Sequence, residues 1–466
     1  MNEATTAYQV RNSSFNIVGP QMTEEHLYNN INSEEYMEKA KTLLPFGALF
    51  AAMIIVGAKG VYVYTSEGKK ILDFTSGQMS CLIGHGNLEV AEVISRFAYN
   101  LDHLFSGMLS PPVIDLAYML KSVLPEGLDR SQFLSTGGEA NEAAIKLAKV
   151  YTGKHEIVGL SSSWHGMTGA ASASTYHSGR KNYGPITPGN LVLPTPNAYR
   201  SIFRKKDGSY DWETELDYGW SMVDTSSIGS LAAVIIEPIL SSGGMLVLPE
   251  GYLEAMKRYC EERDMLLIID EAQTALGRCG SMFAFQDTKI VPDILTLSKT
   301  LGNGIPLASC ITSNEIAEAT KKKGFLFYTT HTNDPLPCAV GSKVIDVVLR
   351  DNLPERSYKL GIKFRDGLKG IMSKYKCVGD VRGKGLMVGL EIVKDHDTKE
   401  PHPELASALA NKMIELGVSA NLVAVKSFGN TFRIAPPLTI SEEELDEGVR
   451  IMETAFLLVD GTLPVS

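Results

Sequence analysis

The chain is poor in the residues that hold transition metals or cross-link loops. Its 466 residues contain six cysteines, Cys81, Cys260, Cys279, Cys310, Cys338 and Cys377, and no pair has metal-site spacing. So thin a scatter suits reduced, buried thiols rather than a disulfide framework. The nine histidines form no HxxxH or HExxH pair, so nothing in the spacing marks a zinc hydrolase. No apolar run reaches the ~18 residues that span a bilayer. The first twenty residues carry an early acid and no apolar block of signal-peptide length, and the final LPVS is not a peroxisomal address. The expected location is cytoplasmic. Basic excess is missing too: Lys and Arg number 44 against 54 Asp and Glu, a net charge of −10. That balance argues against nucleic acid or a membrane surface as partner. There is no internal repeat and no low-complexity tract.

What is present is an ordinary globular composition, 44% apolar and 21% charged, in a chain long enough for two domains. Residues 1–21 read as a polar lead-in, and Glu24–Leu44 has a helical pattern. VYVYTSEGKKILDFTSG alternates around Ser66-Glu67-Gly68, as a hairpin does. The middle of the chain repeats an apolar strand followed by a helix, with strands expected at Glu156–Gly159, Leu231–Pro238, Met265–Asp270 and Asp293–Ser298. Runs such as AAVIIEP and MLLIID suit a mainly parallel sheet covered on both faces. After residue 340 one helical run (Ala339–Tyr375), a Gly-punctuated strand pair, a helix and the strand TFRIAPP suggest a smaller α+β domain. The expected division is 1–80 (the N-terminal extension and a segment packing with the small domain), 81–340 (large domain) and 341–466 (small domain).

Five places carry chemistry. Lys299 follows the apolar strand DILTLS at the carboxyl edge of the expected sheet, where open α/β sheets keep their ligands. The small residues around it admit a ring, and a partly desolvated lysine there forms a Schiff base with an aldehyde; the alternative is a solvated surface lysine. Asp270 ends the strand MLLIID and needs either a cationic partner, such as a protonated pyridine nitrogen, or a helix to cap. Ser135-Thr136-Gly137-Gly138 opens a helix and reads as a phosphate cradle or as a plain cap. Trp164 either stacks on a bound ring or fills the core. Arg433 either pairs with a structural carboxylate or grips a substrate carboxylate in a bidentate fork.

In this order, with IIDEAQTALGR, LSKTLGNGIP and YTTHTNDPLP, these elements resemble the class III aminotransferases from roughly Leu43 to the C-terminus. The resemblance implies an α/β chain of the pyridoxal-phosphate-dependent transferase fold type I. Its large domain would have a mainly parallel central sheet and its C-terminal domain would be a smaller α+β unit. The cofactor would be pyridoxal 5′-phosphate. Within that family LDFTSGQMS, LDHLFSGMLS, SSWHGMTGA, EPILSSGG and FRIAPPLT are similar to the decarboxylating branch, the 2,2-dialkylglycine decarboxylases. That branch takes CO2 from an α,α-disubstituted amino acid such as 2-aminoisobutyrate or isovaline, releases a ketone, and aminates pyruvate to alanine.

The resemblance assigns roles position by position. Lys299 would hold the cofactor and move protons, Asp270 would meet the pyridine nitrogen, and Trp164 would cover the ring. Thr136, Gly137 and Gly138 would hold the phosphate, and Gln273 the phenolic oxygen. Thr330 would reach the phosphate of a neighbouring subunit, which implies a homodimer as the minimal active unit and leaves pairing into a homotetramer open. Gln78 would hold the carboxylate that is lost and Arg433 the one that is kept, with Met167 and Ser242 limiting the remaining substituent. Leu104, Ser106, Thr330, Thr332 and Asp334 would supply oxygens to an alkali-metal ion, potassium or sodium. The chain departs from the family pattern in its N-terminal extension and at Thr332, Gly138, Ala140, Cys279 and Asn303. Two other activities fit the same motifs: a non-decarboxylating ω-amino acid or amine transaminase, and a biosynthetic enzyme that traps a decarboxylative carbanion differently. A non-catalytic scaffold of this shape would have no use for Lys299, Asp270 and Arg433 together.

Overall fold

The computed structural model describes residues 31–44, 53–177, 180, 182–425 and 429–460. They fall into two units: the described part of residues 1–57 with Tyr64–Lys69, and Ala58–Val63 with the chain from Lys70 onward. In the first unit a helix spans Ser33–Leu43, started by the Asn32 side chain, which accepts from the Glu35 amide. The expected helix from Glu24 is therefore shorter among the described residues, and Glu24–Asn30 lies outside them. The Gly68 amide donates to the Thr65 carbonyl at 3.0 Å, closing the expected turn.

The second unit is organised around a seven-stranded sheet. Its strands are β1 (Arg130–Leu134), β2 (Glu156–Leu160), β3 (Asn190–Leu193), β4 (Leu231–Ile236), β5 (Leu266–Asp270), β6 (Ile294–Leu297) and β7 (Ala308–Thr312), in the order β1-β7-β6-β5-β4-β2-β3. β7 runs antiparallel to both neighbours, and every other pairing is parallel. The apolar runs are what this arrangement needs, because every residue of β4, β5 and β6 is buried. Alternate side chains serve opposite faces. Ile157, Ala233, Ile235, Ile268 and Ile294 pack with the helix Gly137–Thr152. Val158, Val234, Ile236, Leu267, Ile269 and Leu295 enter the larger core. The ends of β1, β2, β4, β5 and β6 share one edge, so the segments beginning at Ser135, Ser161, Glu237, Asp270 and Ser298 converge there.

A second sheet is antiparallel: β8 (Val378–Lys384), β9 (Met387–Ile392), β10 (Asn421–Val425) and β11 (Gly429–Ile434), in the order β8-β9-β11-β10. The helical run expected over Ala339–Tyr375 is two helices, Pro335–Arg350 and Leu353–Lys374. Asn352 takes φ +47 between them and Pro354 enters the second helix's first turn, which breaks the amide ladder. Helices at Pro111–Val123, Trp212–Ser226 and Glu442–Val459 had no counterpart among the expected elements. Among the described residues no helix is long and apolar enough to cross a membrane.

Candidate active site

Two cavities meet at the carboxyl edge of the large sheet. The first, about 310 Å³, is lined by Thr136, Gly137, Gly138, Asn141, Trp164, His165, Asp270, Ser298 and Lys299, among others. The second, about 200 Å³, is lined by Thr75, Gly77, Gln78, Met79, Trp164, His177, Ser242, Gln273, Lys299, Asn421, Val423 and Arg433. Trp164 and Lys299 belong to both walls. The residues expected to hold the cofactor's ring and phosphate thus line one chamber, and most of those expected to face substrate line the next. Gln273 lies on the second wall. Met167 is exposed and lines neither cavity, and Thr330 is likewise exposed and outside both.

Asp270 is 4% exposed at the end of β5. Its Oδ2 accepts from Asn141 Nδ2 at 2.8 Å and pairs with His165 Nδ1 at 2.9 Å, while Oδ1 accepts from the Ala272 amide at 3.0 Å. Burial pulls its pKa upward, but the His165 contact and the Lys299 charge outweigh that and leave it below the ordinary carboxylate value. Asn141 is itself locked, donating to the His165 carbonyl at 2.7 Å and accepting from Thr296 Oγ1 at 2.7 Å. Asp270 is therefore a charged carboxylate, fixed on three sides, at the wall of a cavity.

Lys299 opens a short 3₁₀ turn after β6 with φ +30, a conformation costly for a side chain that bears a Cβ. Desolvation lowers its pKa from 10.5, against the opposing pull of Asp270 and Glu237. A larger share of its amine is thus unprotonated and nucleophilic near neutral pH. Glu237 follows β4, is buried, and accepts from the Trp164 amide at 2.9 Å. Burial pushes its carboxyl up to about 7.

The rim of the first cavity is built for an anion. Thr136 caps the 16-residue helix in a capping box with Glu139, leaving the Gly137 and Gly138 amides at its first turn without intrahelical acceptors. A Cβ at Gly137 would sit 2.7 Å from Ser298 Oγ, and one at Gly166 (φ +135) would sit 2.8 Å from the Gly138 Cα. Glycine at 166 is what lets the two backbones close on one another, and glycine at 137 leaves room for the Ser298 hydroxyl. Ser298 Oγ and His165 Nε2 are buried without hydrogen-bond partners among the described residues, an arrangement that a bound polar group would complete.

Above the second cavity Arg433, 8% exposed, forks onto Asn421 Oδ1 at 3.1 and 2.9 Å and donates to Ser241 Oγ at 3.3 Å and Ser242 Oγ at 3.2 Å. All three partners are neutral, and no ion pair to it is found among the described residues. Burial lowers its pKa to about 10, so it stays charged. His177 beside it is pushed down to about 4, by burial and then by the Arg433 charge, and is neutral.

Of the expected alkali-ion residues, Asp334 is buried and Thr332 is 5% exposed. Both Asp334 oxygens are engaged by imidazoles, His103 Nδ1 at 2.6 Å and His331 Nδ1 at 2.5 Å. Those three groups bring donor atoms within 4.8 Å of one another. Sequence reading did not assign Asn141, His165, Glu237, His177 or Asn421. His165 and Glu237 had local signals, the first its place beside Trp164 in a loop after a strand, the second its place at the end of the strand AAVIIEP.

A charged carboxylate facing a desolvated lysine, beside a glycine-lined helix start at the carboxyl edge of a mixed sheet, defines a pyridoxal-phosphate-dependent transferase of fold type I. Comparisons with known proteins name the family. The class III aminotransferase model matches residues 47–456. An uncharacterized aminotransferase of Schizosaccharomyces pombe is 52% identical over 416 residues, covering 89% of this chain and 93% of its own. Taurine–pyruvate aminotransferase of Bilophila wadsworthia is 32% identical, covering 88% and 93%. The solved taurine:2-oxoglutarate aminotransferase of Bifidobacterium kashiwanohense, in complex with pyridoxal phosphate and glutamate, superposes with a TM-score of 0.85 at 26% identity, covering 94% and 100%. The chain belongs to the class III aminotransferase family.

Proposed function

We propose that the enzyme moves an amino group from a small amine or amino acid to a 2-oxo acid, pyruvate being the expected acceptor. The observation that carries this is the buried, charged and carboxylate-free Arg433 on the wall of a chamber that shares Lys299 with the cofactor cavity. Similarity to the pyruvate-using Bilophila wadsworthia enzyme supports the choice of acceptor.

Bound pyridoxal 5′-phosphate supplies an aldehyde that takes up the amino group and a ring that spreads negative charge. The chain's residues do the rest. Gly137, Gly138, Thr136 and Ser298 would hold the phosphate, and Asp270 would keep the ring nitrogen protonated. Trp164, between the chambers, would cover the ring, with Gln273 serving the phenolic oxygen. The Lys299 amine would move the proton at the substrate α-carbon. Arg433 would take a substrate carboxylate in its fork, with Ser242 and His177 shaping the remaining space. Thr330 is exposed and outside the cavity, so its phosphate contact would be made in a second subunit, which makes a homodimer the minimal unit of this reading.

Decarboxylation of 2,2-dialkylglycines is the second reading. It rests on Gln78, which lines the second chamber together with Arg433 and would hold a second carboxylate, the one to be lost. An alkali-metal ion at Leu104, Ser106, Thr330, Thr332 and Asp334 belongs to this reading. The test offers the loaded enzyme pyruvate with ω-amino acids, simple amines, 2-aminoisobutyrate and isovaline in turn, and measures alanine and CO2. Alanine without CO2 supports transamination alone. CO2 equal to alanine from the dialkylglycines selects the second reading, and no alanine from any donor contradicts both.

A further inference from the structure

The loop that carries Gln78 is held in an unusual shape. Ser76, Gly77 and Met79 have φ of +42, +68 and +60, so three of four consecutive residues lie in the left-handed region, two of them bearing side chains. Hydrogen bonds from the chain on either side do not account for it. The Met79 and Ser80 amides reach back to Thr75 and Ser76, but among the described residues the Thr75 and Gly77 amides find no backbone acceptor. Both donate to one carboxylate instead.

That carboxylate is Asp73, 3% exposed, at the end of the strand Lys70–Asp73. Its Oδ1 accepts from the Thr75 amide at 3.0 Å, from the Thr75 hydroxyl, and from Ser419 Oγ at 3.0 Å. Its Oδ2 accepts from the Gly77 amide at 2.6 Å and pairs with His85 Nε2 at 2.8 Å. Five donors on one buried side chain are more than strand termination requires. On the far side the loop is tied by Ser76 Oγ, which donates to the Ala435 carbonyl at 2.8 Å and accepts from Arg278 Nη2 at 3.2 Å. Between these anchors the exposed Gln78 makes no hydrogen bond among the described residues, while Thr75, Gly77, Gln78 and Met79 all line the second cavity.

We propose that Asp73, clamped by His85, is a positioning residue of the substrate chamber: it replaces the missing backbone acceptors of the Thr75–Met79 turn and thereby presents the Gln78 amide to the substrate. The inference rests on reading the second cavity as the substrate site. Asp73 touches neither cofactor cavity nor reacting atoms, so it acts only through the turn. Asp73, and after it Cys81, raise the His85 pKa to about 10, and the hydrogen bonds keep Asp73 itself below the ordinary carboxylate value despite burial, so the contact is an ion pair near neutral pH. An amide in place of the carboxylate turns one acceptor oxygen into a donor and must release Gly77, His85 or Thr75 and Ser419.

The test compares wild type, Asp73→Asn, Gln78→Ala and the double variant, all loaded with cofactor. Hydrogen exchange at the Gly77 amide and kcat/KM for a carboxylate substrate are both read. The proposal expects Gly77 exchange in Asp73→Asn to speed up on the order of 10-fold, with retained cofactor and an unchanged visible spectrum. It also expects the substrate defect, a rise in KM, to vanish when Gln78 is already alanine, since both changes remove one interaction. Unchanged exchange at Gly77, or independent losses in the double variant, would overturn it. A Gln78→Ala enzyme with wild-type kinetics contradicts the substrate reading of the cavity, and leaves Gly77 exchange alone to judge whether Asp73 holds the turn. Should Asp73→Asn fail to fold, His85→Gln keeps the carboxylate and removes the charged clamp; faster Gly77 exchange there supports the proposal and wild-type exchange refutes it.

Discussion

Gly166 is the sharpest single test of how the first cavity is closed. Its φ of +135 lies where L side chains rarely go, and an added Cβ would stand 2.8 Å from the Gly138 Cα and 3.3 Å from the Ala171 Cβ. The nearest obstacle is backbone, so no side chain can swing aside. Forcing a Cβ into that conformation costs ~1–3 kcal/mol, and overpacking against a rigid neighbour costs about as much again. Gly166→Ala should therefore lower unfolding free energy by roughly 2–6 kcal/mol. Because the residue it displaces is Gly138, the loss should appear first as weaker cofactor binding. Gly169→Ala is the matched control: its Cβ meets nothing closer than Glu142 Oε1 at 3.4 Å, its φ is not positive, and it sits in a helical turn that alanine favours. Denaturant unfolding of the apo-protein and cofactor retention by visible absorbance are the assays. If Gly166→Ala matches Gly169→Ala in both, the close apposition of the two loops is wrong.

Other predictions follow from the same geometry. Arg433→Gln should raise KM for carboxylate substrates at least about 10-fold while leaving cofactor retention intact, because a charge-assisted fork contributes ~1.5–3 kcal/mol. Glu237 holds its proton up to about 7 in the folded protein, whereas the unfolded chain releases it near 4.5. The stability this raised pKa provides is fully present below the lower value and is lost as pH rises through the upper one. Glu237→Gln should flatten that slope in apo-protein unfolding, and an unaltered pH profile would refute the assignment. Brief alkylation of the native protein should label Cys81 first. Cys260, Cys279, Cys310, Cys338 and Cys377 are buried with thiol pKa values pushed up, whereas Cys81 is only half-buried. Peptide mapping with equal labelling of the six would contradict the burial pattern.

The parts of the site that were legible in the sequence are those written in short segments. Lys299, Asp270 and Thr136-Gly137-Gly138 each end a strand or open a helix, so one apolar run and its neighbours were enough to place them at the sheet edge. The expected strands at Leu231–Pro238 and Met265–Asp270 differ from β4 and β5 by a residue or two at their ends. What could not be read was the supporting shell. Asn141 lies on a helix face like any core residue, and its contacts with Asp270 and Thr296 cross 129 and 155 residues of sequence. Asn421 and Arg433 meet only because β10 and β11 pair in that register. Asp73 resembles a strand-end cap until the loop beyond it is seen to lack other acceptors. The expected single helix over Ala339–Tyr375 failed for a local reason: periodicity continued across Asp351-Asn352, and the left-handed turn at Asn352 leaves no mark in the hydrophobic pattern.

Lys299 is the residue on which cofactor binding and catalysis would turn. Reducing the loaded enzyme with borohydride fixes the cofactor to its lysine, and proteolysis with mass spectrometry then identifies the labelled residue. The label is expected on Lys299, lost in Lys299→Ala together with turnover while the fold persists. A label on another lysine, or turnover retained by Lys299→Ala, would contradict that role.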